Sequence, residues 1–139
     1  MDDEDTLSIA LLSGTDDKLS AAALLTAGAA ALGRKVDILL QYWALEAFRA
    51  GELTKEHGLA PEAGWEGAQA MRRLQEEGGG QHWSAVLAQA KQLGDVRVHA
   101  CSLSMDMLGL TTDDLDPMVD DMEGVTAFML AADGQLVFI

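Results

Sequence analysis

The sequence predicts an α/β fold, a three-layer α/β/α sandwich on a mostly parallel sheet of about five strands. Three observations predict it. A short apolar run at 7–12, followed by turn residues, has the pattern of a strand buried on both faces, and the apolar-rich segments 36–42 and 96–100 read as further strands. Segments of helical composition lie between them, which gives the β-α-β alternation of a layered parallel sheet. The chain has 139 residues, 49% hydrophobic and 23% charged, which suits one domain over 1–139 and excludes wholesale disorder.

The elements follow in order. Residues 1–5 are an acidic leader. The run Leu7-Ser8-Ile9-Ala10-Leu11-Leu12 ends in Ser13-Gly14-Thr15-Asp16-Asp17, a strand followed by a turn. Residues 18–32 carry Ala and Leu almost all round, as in a helix buried against a sheet, with Gly33 at its C-terminal cap. Residues 36–42 form the second strand, and the β-α-β unit so made pairs its strands in parallel through a right-handed connection. Residues 43–49 suit a short helix, and 51–64, with Pro61, an irregular insertion. Residues 65–77 and 82–93 read as helices split by Gly78-Gly79-Gly80. That triple glycine is a turn, because a phosphate loop needs a strand before it and Lys-Ser/Thr after it. The third strand, 96–100, runs into Cys101-Ser102-Leu103-Ser104. A helical turn at 105–110, a helix start at 111–115, a short strand at 118–122, a helix at 124–132 and a strand at 136–139 complete the chain.

Nine Lys plus Arg stand against 23 Asp plus Glu, a formal charge of −14. Such a chain repels phosphate backbones and anionic lipid, so neither nucleic acid nor membrane is an expected partner. Met1-Asp2-Asp3-Glu4-Asp5 is the opposite of the basic region of a secretory signal. The most apolar stretch, 19–33, falls short of the ~20 residues that cross a bilayer. With a single thiol, these features point to the cytoplasm.

That thiol, Cys101, excludes a disulfide framework within one chain and a zinc site made mainly of cysteines. In open parallel sheets the functional cleft lies beyond the carboxyl ends of the strands. Cys101 stands there, where free amide N–H groups and the positive end of a helix dipole favour a thiolate. Ser102 and Ser104 add hydroxyl donors, and His99 shares the strand face. The same position equally suits a small core thiol.

Other chemistries are screened by spacing. The Cys-x5-Arg loop of phosphatases is absent, since Met107 stands where the arginine is needed. Cys101-Ser102-Leu103-Ser104 has a monothiol-glutaredoxin form, but that motif belongs after the first strand. A metal held by His99 and Cys101 needs two further ligands, and His57 and His82 lie in the irregular middle. No metal site and no cofactor are therefore expected. Trp43, at the end of the second strand, is expected to border the cleft of Cys101, as a pocket wall or as a buried anchor. Met105 and Met107, with Leu103, Leu108 and Leu110, make the cysteine loop apolar. Ser13-Gly14-Thr15 is similar to a flavin phosphate loop, but Asp16 and Asp17 repel a phosphate there, and a helix cap is the better reading. The acidic runs 113–116 and 120–123 lack EF-hand spacing and read as a solvated face.

The loop Cys101-Ser102-Leu103-Ser104-Met105-Asp106-Met107-Leu108-Gly109-Leu110 resembles the active loop of the DsrE/DsrF-like (DsrEFH) sulfur-relay proteins. The likeness is to the branch, sometimes labelled peroxiredoxin-like, whose loop reads Ala-Cys-x-x-Ser-Met-Asp-x-Met/Leu-Gly. Other segments agree in order: 7–14 with the family's first strand and turn, 27–33 with its first helix and cap, Tyr42-Trp43-Ala44-Leu45 with its Phe-Trp-Gly-Leu, and 124–128 with its last helix start. The resemblance implies a flavodoxin-like sandwich that associates with itself as a trimer or larger oligomer. It also implies a persulfide on Cys101, passed to a partner such as a small sulfur-carrier protein. From their places at the strand ends and in the loop, Ser13, Gly14, Trp43, His99, Ser102, Ser104 and Met105 are expected as the pocket residues. Ala44 stands where the family has glycine, which implies a narrower pocket beside Cys101. Lacking a resolving cysteine, the chain must exchange sulfur between molecules, which suits a carrier better than a peroxidase. The other readings are a non-catalytic oligomeric interaction module with a structural cysteine, and a thiol peroxidase or redox sensor.

Overall fold

A computed structural model describes residues 6–139, so the acidic leader 1–5 lies outside the described residues. Five parallel strands form one sheet in the order β4-β3-β2-β1-β5. They are β1 (Leu7–Leu11), β2 (Val36–Leu40), β3 (Val96–Cys101), β4 (Asp121–Glu123) and β5 (Gln135–Phe138). The helices are α1 (Asp16–Ala31), α2 (Trp43–Ala47), α3 (Gly64–Glu76), α4 (Trp83–Leu93), α5 (Ser102–Leu108) and α6 (Val125–Ala131). The α/β class and the parallel sheet are those the sequence predicts, and the architecture is consistent with a flavodoxin-like sandwich.

The apolar strands explain the two-sided burial. Ile38 and Leu40 of β2 pack with Leu19 of α1, Leu87 of α4 and Phe48 in the main core. Leu39, between them, belongs to a second cluster with Cys101 and Phe128. Adjacent residues of one strand thus meet different layers, as the period of two requires. Right-handed crossovers running one way from β1 to β4 keep α1, α4 and α5 on one face, and the return to β5 leaves α6 on the other. The first face is thickly covered. The second is covered by a helix of seven residues of which only Phe128 is buried.

Several boundaries differ from those read in the sequence. The helix after Cys101 starts at Ser102, because Cys101 itself occupies the N-cap with extended backbone. The expected helix at 111–115 is a single 3-10 turn, Thr112–Asp114, closed by a capping box between Thr111 and Asp114. The fourth strand begins at Asp121, because its ladder pairs with His99, Ala100 and Cys101 at the far end of β3. Residue Gly33 (φ 77) follows the last turn of α1 in the left-handed conformation glycine favours, as its place in the sequence suggests. Among the described residues no helix is long and apolar enough to cross a membrane.

Candidate functional site

Cys101 closes β3 and starts α5, at the carboxyl edge of the sheet. Its side chain faces the second layer and is 1% exposed beneath Phe128 and beside Leu39. Ser104 and Met105, one turn on, are buried as well, Met105 within the main core. Ser102 is half-buried, with its Oγ 3.8 Å from the point a Cβ on Gly124 would occupy, so the β3–α5 and β4–α6 junctions meet here. Leu103 and Met107 are exposed and give α5 an apolar outer surface.

His99 lies on the face of Cys101, but its ring is engaged elsewhere. Nε2 is 2.9 Å from Oδ1 of Asp37 on β2, and Nδ1 is 2.6 Å from Oδ1 of Asp121 and 3.2 Å from Oε2 of Glu123 on β4. The imidazole therefore clasps three neighbouring strands. Lys35 Nζ, 3.6 Å from the other Asp37 oxygen, completes the cluster. Burial opposes a charge on His99, but the hydrogen bonds to Asp37 and Asp121 and the charges of Asp121 and Glu123 outweigh it and push the pKa up to about 9. Burial also works against the Asp37 carboxylate, yet the His99 hydrogen bond and the Lys35 ammonium hold it below the usual range.

The remaining predicted residues gather at a different place. Ser13, Gly14, Thr15, Lys18, Trp43, Glu46, Ala60 and Pro61 line a cavity of about 360 Å³ at the ends of β1 and β2. Cys101 is not among its lining residues. Trp43 is 59% exposed and is a wall of this cavity rather than a buried anchor. Ala44 is fully buried in the main core, on the opposite side of the sheet from Cys101, so its methyl group does not narrow a pocket beside the sulfur. Tyr42 is the only non-glycine residue with positive φ among the described residues (φ 43, ψ −109), a strained turn whose hydroxyl reaches Met107 Sδ at 3.5 Å.

Asp16 and Asp17 stitch the 52–63 segment to the start of α1. Asp16 accepts from the His57 amide at 2.8 Å and from Trp83 Nε1 at 2.9 Å, while Asp17 accepts from the Ala60 amide at 3.1 Å. No cap bond comes from Thr15, so these carboxylates act as loop anchors beyond the cap role read from the sequence. Sequence reading missed Asp37, Asp121 and Glu123. The 120–123 run is not simply a solvated face: Asp120 accepts from the Val98 amide at 2.7 Å, and Asp121 and Glu123 turn toward His99. The available signal was spacing, because residues 121 and 123 of a strand share one face.

Over nearly its full length the chain is similar in fold to two solved structures. One is a protein of unknown function, MTH1491, from Methanobacterium thermoautotrophicum, at 12% identity and a TM-score of 0.57 over 96% of this chain and 98% of that one. The other is the ychN protein of E. coli, at 16% identity and a TM-score of 0.58 over the same shares. No family model and no curated protein matches the chain. At these identities the likeness establishes the fold.

Proposed function

We propose that the protein is a cytoplasmic sulfur carrier that accepts sulfane sulfur on Cys101 and passes it to a partner thiol. The observation that carries this reading is the placement of the recognisable cysteine loop at the carboxyl edge of a parallel sheet, with Cys101 at the start of α5. The five-stranded parallel fold agrees with the one the loop's resemblance implies. In the exchange, the Cys101 thiolate attacks the outer sulfur of a donor persulfide. A new S–S bond forms, the donor S–S bond breaks, and the donor leaves as a thiolate. An acceptor thiolate then takes the outer sulfur and restores Cys101. No external oxidant or reductant enters, and no second cysteine in the chain is needed.

Incubation with polysulfide is expected to add the mass of one sulfur atom to the wild type and nothing to Cys101→Ser. Intact-protein mass spectrometry reads the result, and an unmodified wild type overturns the proposal.

Burial of the thiol means that exchange requires the cover to open. Phe128 is that cover, and it is the one buried residue of α6. Truncation of a buried Phe costs ~3 kcal/mol or more, which through the opening equilibrium raises Cys101 alkylation in Phe128→Ala by about two orders of magnitude. Equal alkylation rates in the two proteins under native conditions would show that α6 does not gate the sulfur. The burial itself favours the second reading, a structural cysteine in an interaction module. A thiol that stays inert both to polysulfide and in Phe128→Ala supports that reading instead.

The carrier also associates with itself. Val125, Met129 and Leu130 of α6 and Leu136 and Phe138 of β5 are exposed, Phe138 by 67%, on the thinly covered side of the sheet. This exposed apolar patch is the support for a trimer or larger oligomer, in which it would be buried between subunits. Light scattering at micromolar concentration is expected to give a multiple of the chain mass, and a monomer contradicts it.

A further inference from the structure

We propose that His99, Asp121 and Glu123 form a binding site for one divalent transition-metal ion of the zinc class. The nitrogen Nδ1 of His99, a carboxylate oxygen of Asp121 and one of Glu123 lie within 4.8 Å of one another. Register explains the grouping: Asp121 stands opposite His99 and Glu123 opposite Cys101, so alternation turns both carboxylates to the face on which His99 lies. Tetrahedral zinc with bonds of about 2.0–2.2 Å places its ligand atoms roughly 3.4 Å apart. The separation of 3.2 Å between Nδ1 and Glu123 is close to that, and Asp121, the most exposed of the three, has room to move outward from 2.6 Å.

Two features beyond the three ligands support the assignment. The far nitrogen of the ring, Nε2, donates to the buried Asp37 at 2.9 Å. A carboxylate in that position fixes the tautomer and the ring orientation and leaves Nδ1 to face an ion, the arrangement found behind metal-bound histidines. An entry path also exists. His99 and Glu123 line a cavity of about 250 Å³, together with Asp37, Lys35, Arg97 and Phe128. One imidazole and two carboxylates suit a borderline ion such as Zn²⁺ better than Mg²⁺ or Ca²⁺, which prefer all-oxygen shells. Three protein ligands leave a position for water. On binding, the ion replaces the Nδ1 proton, which passes to solvent. The sulfur of Cys101 takes no part, so the inference is independent of the carrier function.

The experiment is a titration of chelator-stripped full-length protein with Zn²⁺, followed by native mass spectrometry and calorimetry, with Mg²⁺ and Ca²⁺ as comparison ions. One Zn²⁺ per chain is expected, with no binding of Mg²⁺ or Ca²⁺ over the same range. Glu123→Gln and Asp121→Asn, both at the edge strand, are expected to weaken binding by at least roughly ten-fold while leaving the far-UV spectrum unchanged. Cys101→Ser is expected to bind as the wild type does. His99→Gln tests the nitrogen ligand, and the two carboxylate variants keep the test decisive should it fail to fold. Absence of stoichiometric Zn²⁺, binding that survives both carboxylate changes, or binding lost in Cys101→Ser overturns the site.

Discussion

Replacing Gly14 by Ala is expected to destabilise the protein by about 3 kcal/mol or more. A Cβ at this position would stand 2.3 Å from the Trp43 carbonyl oxygen and 2.8 Å from its carbon. Both are backbone atoms, so no rotamer change relieves the clash. Nor can the Trp43 turn withdraw. The Ala44 amide donates to the Leu12 carbonyl at 3.0 Å and the Gln41 amide to the Leu11 carbonyl at 2.9 Å, on either side of the contact. The strained Tyr42 turn, which delivers the Trp43 carbonyl to this point, has little slack left. Urea denaturation measures the loss. Gly28→Ala provides the contrast, since nothing lies within 4 Å of its added methyl group on an exposed part of α1. There a gain of about 0.5–1 kcal/mol is expected from helix propensity. A tolerated Gly14→Ala would show that the first two loops are not locked together.

The second large effect is alkaline. In metal-free protein, the pKa of His99 rises from its ordinary 6.5 when unfolded to about 9 when folded. A raised pKa gives stability that is fully present below 6.5 and is lost as pH climbs toward 9. The expected loss is about 2–3 kcal/mol, allowing for solvent screening on the exposed Asp121 side of the clasp. Asp37 works in the opposite sense. Its lowered pKa gives stability present above the ordinary 3.8 and lost as pH falls through the depressed value. The clasp is therefore strongest between these limits, in weakly acidic solution. Urea midpoints measured with chelator across this range are expected to fall on the alkaline side in the wild type and to be flat there in His99→Gln. A wild-type midpoint unchanged up to about pH 9.5 would remove the clasp from any role in stability.

Fold class was legible because strands 7–12, 36–42 and 96–100 are short segments rich in aliphatic and β-branched residues, and the helices lie between them. A strand buried on both faces leaves few alternatives for its partners. The edge was harder to read. Asp121–Glu123 has only three residues and no apolar run, so its strand character comes from pairing with β3 and not from its own sequence. For the same reason His99 read as a neighbour of the cysteine, whereas its ring is held by carboxylates from β2 and β4. Trp43 was expected to border the cleft of Cys101 at the end of the second strand, whereas β2 ends at Leu40, Trp43 opens α2, and the strand ends divide between a cavity near β1 and β2 and the covered thiol at β3.

Local patterns, by themselves, determined every strand but β4, most of the helices, the cysteine at a strand-to-helix junction and the helix cap at Gly33. These depend on periodicity, capping and turn chemistry within a few residues. Tertiary structure decided the strand order, the burial of Cys101 under Phe128, and the meeting of His99 with Asp37, Asp121 and Glu123. Each of these depends on which distant segments pack side by side. Pairing between strands sixty residues apart brings Asp37 to His99, and no window along the chain contains both.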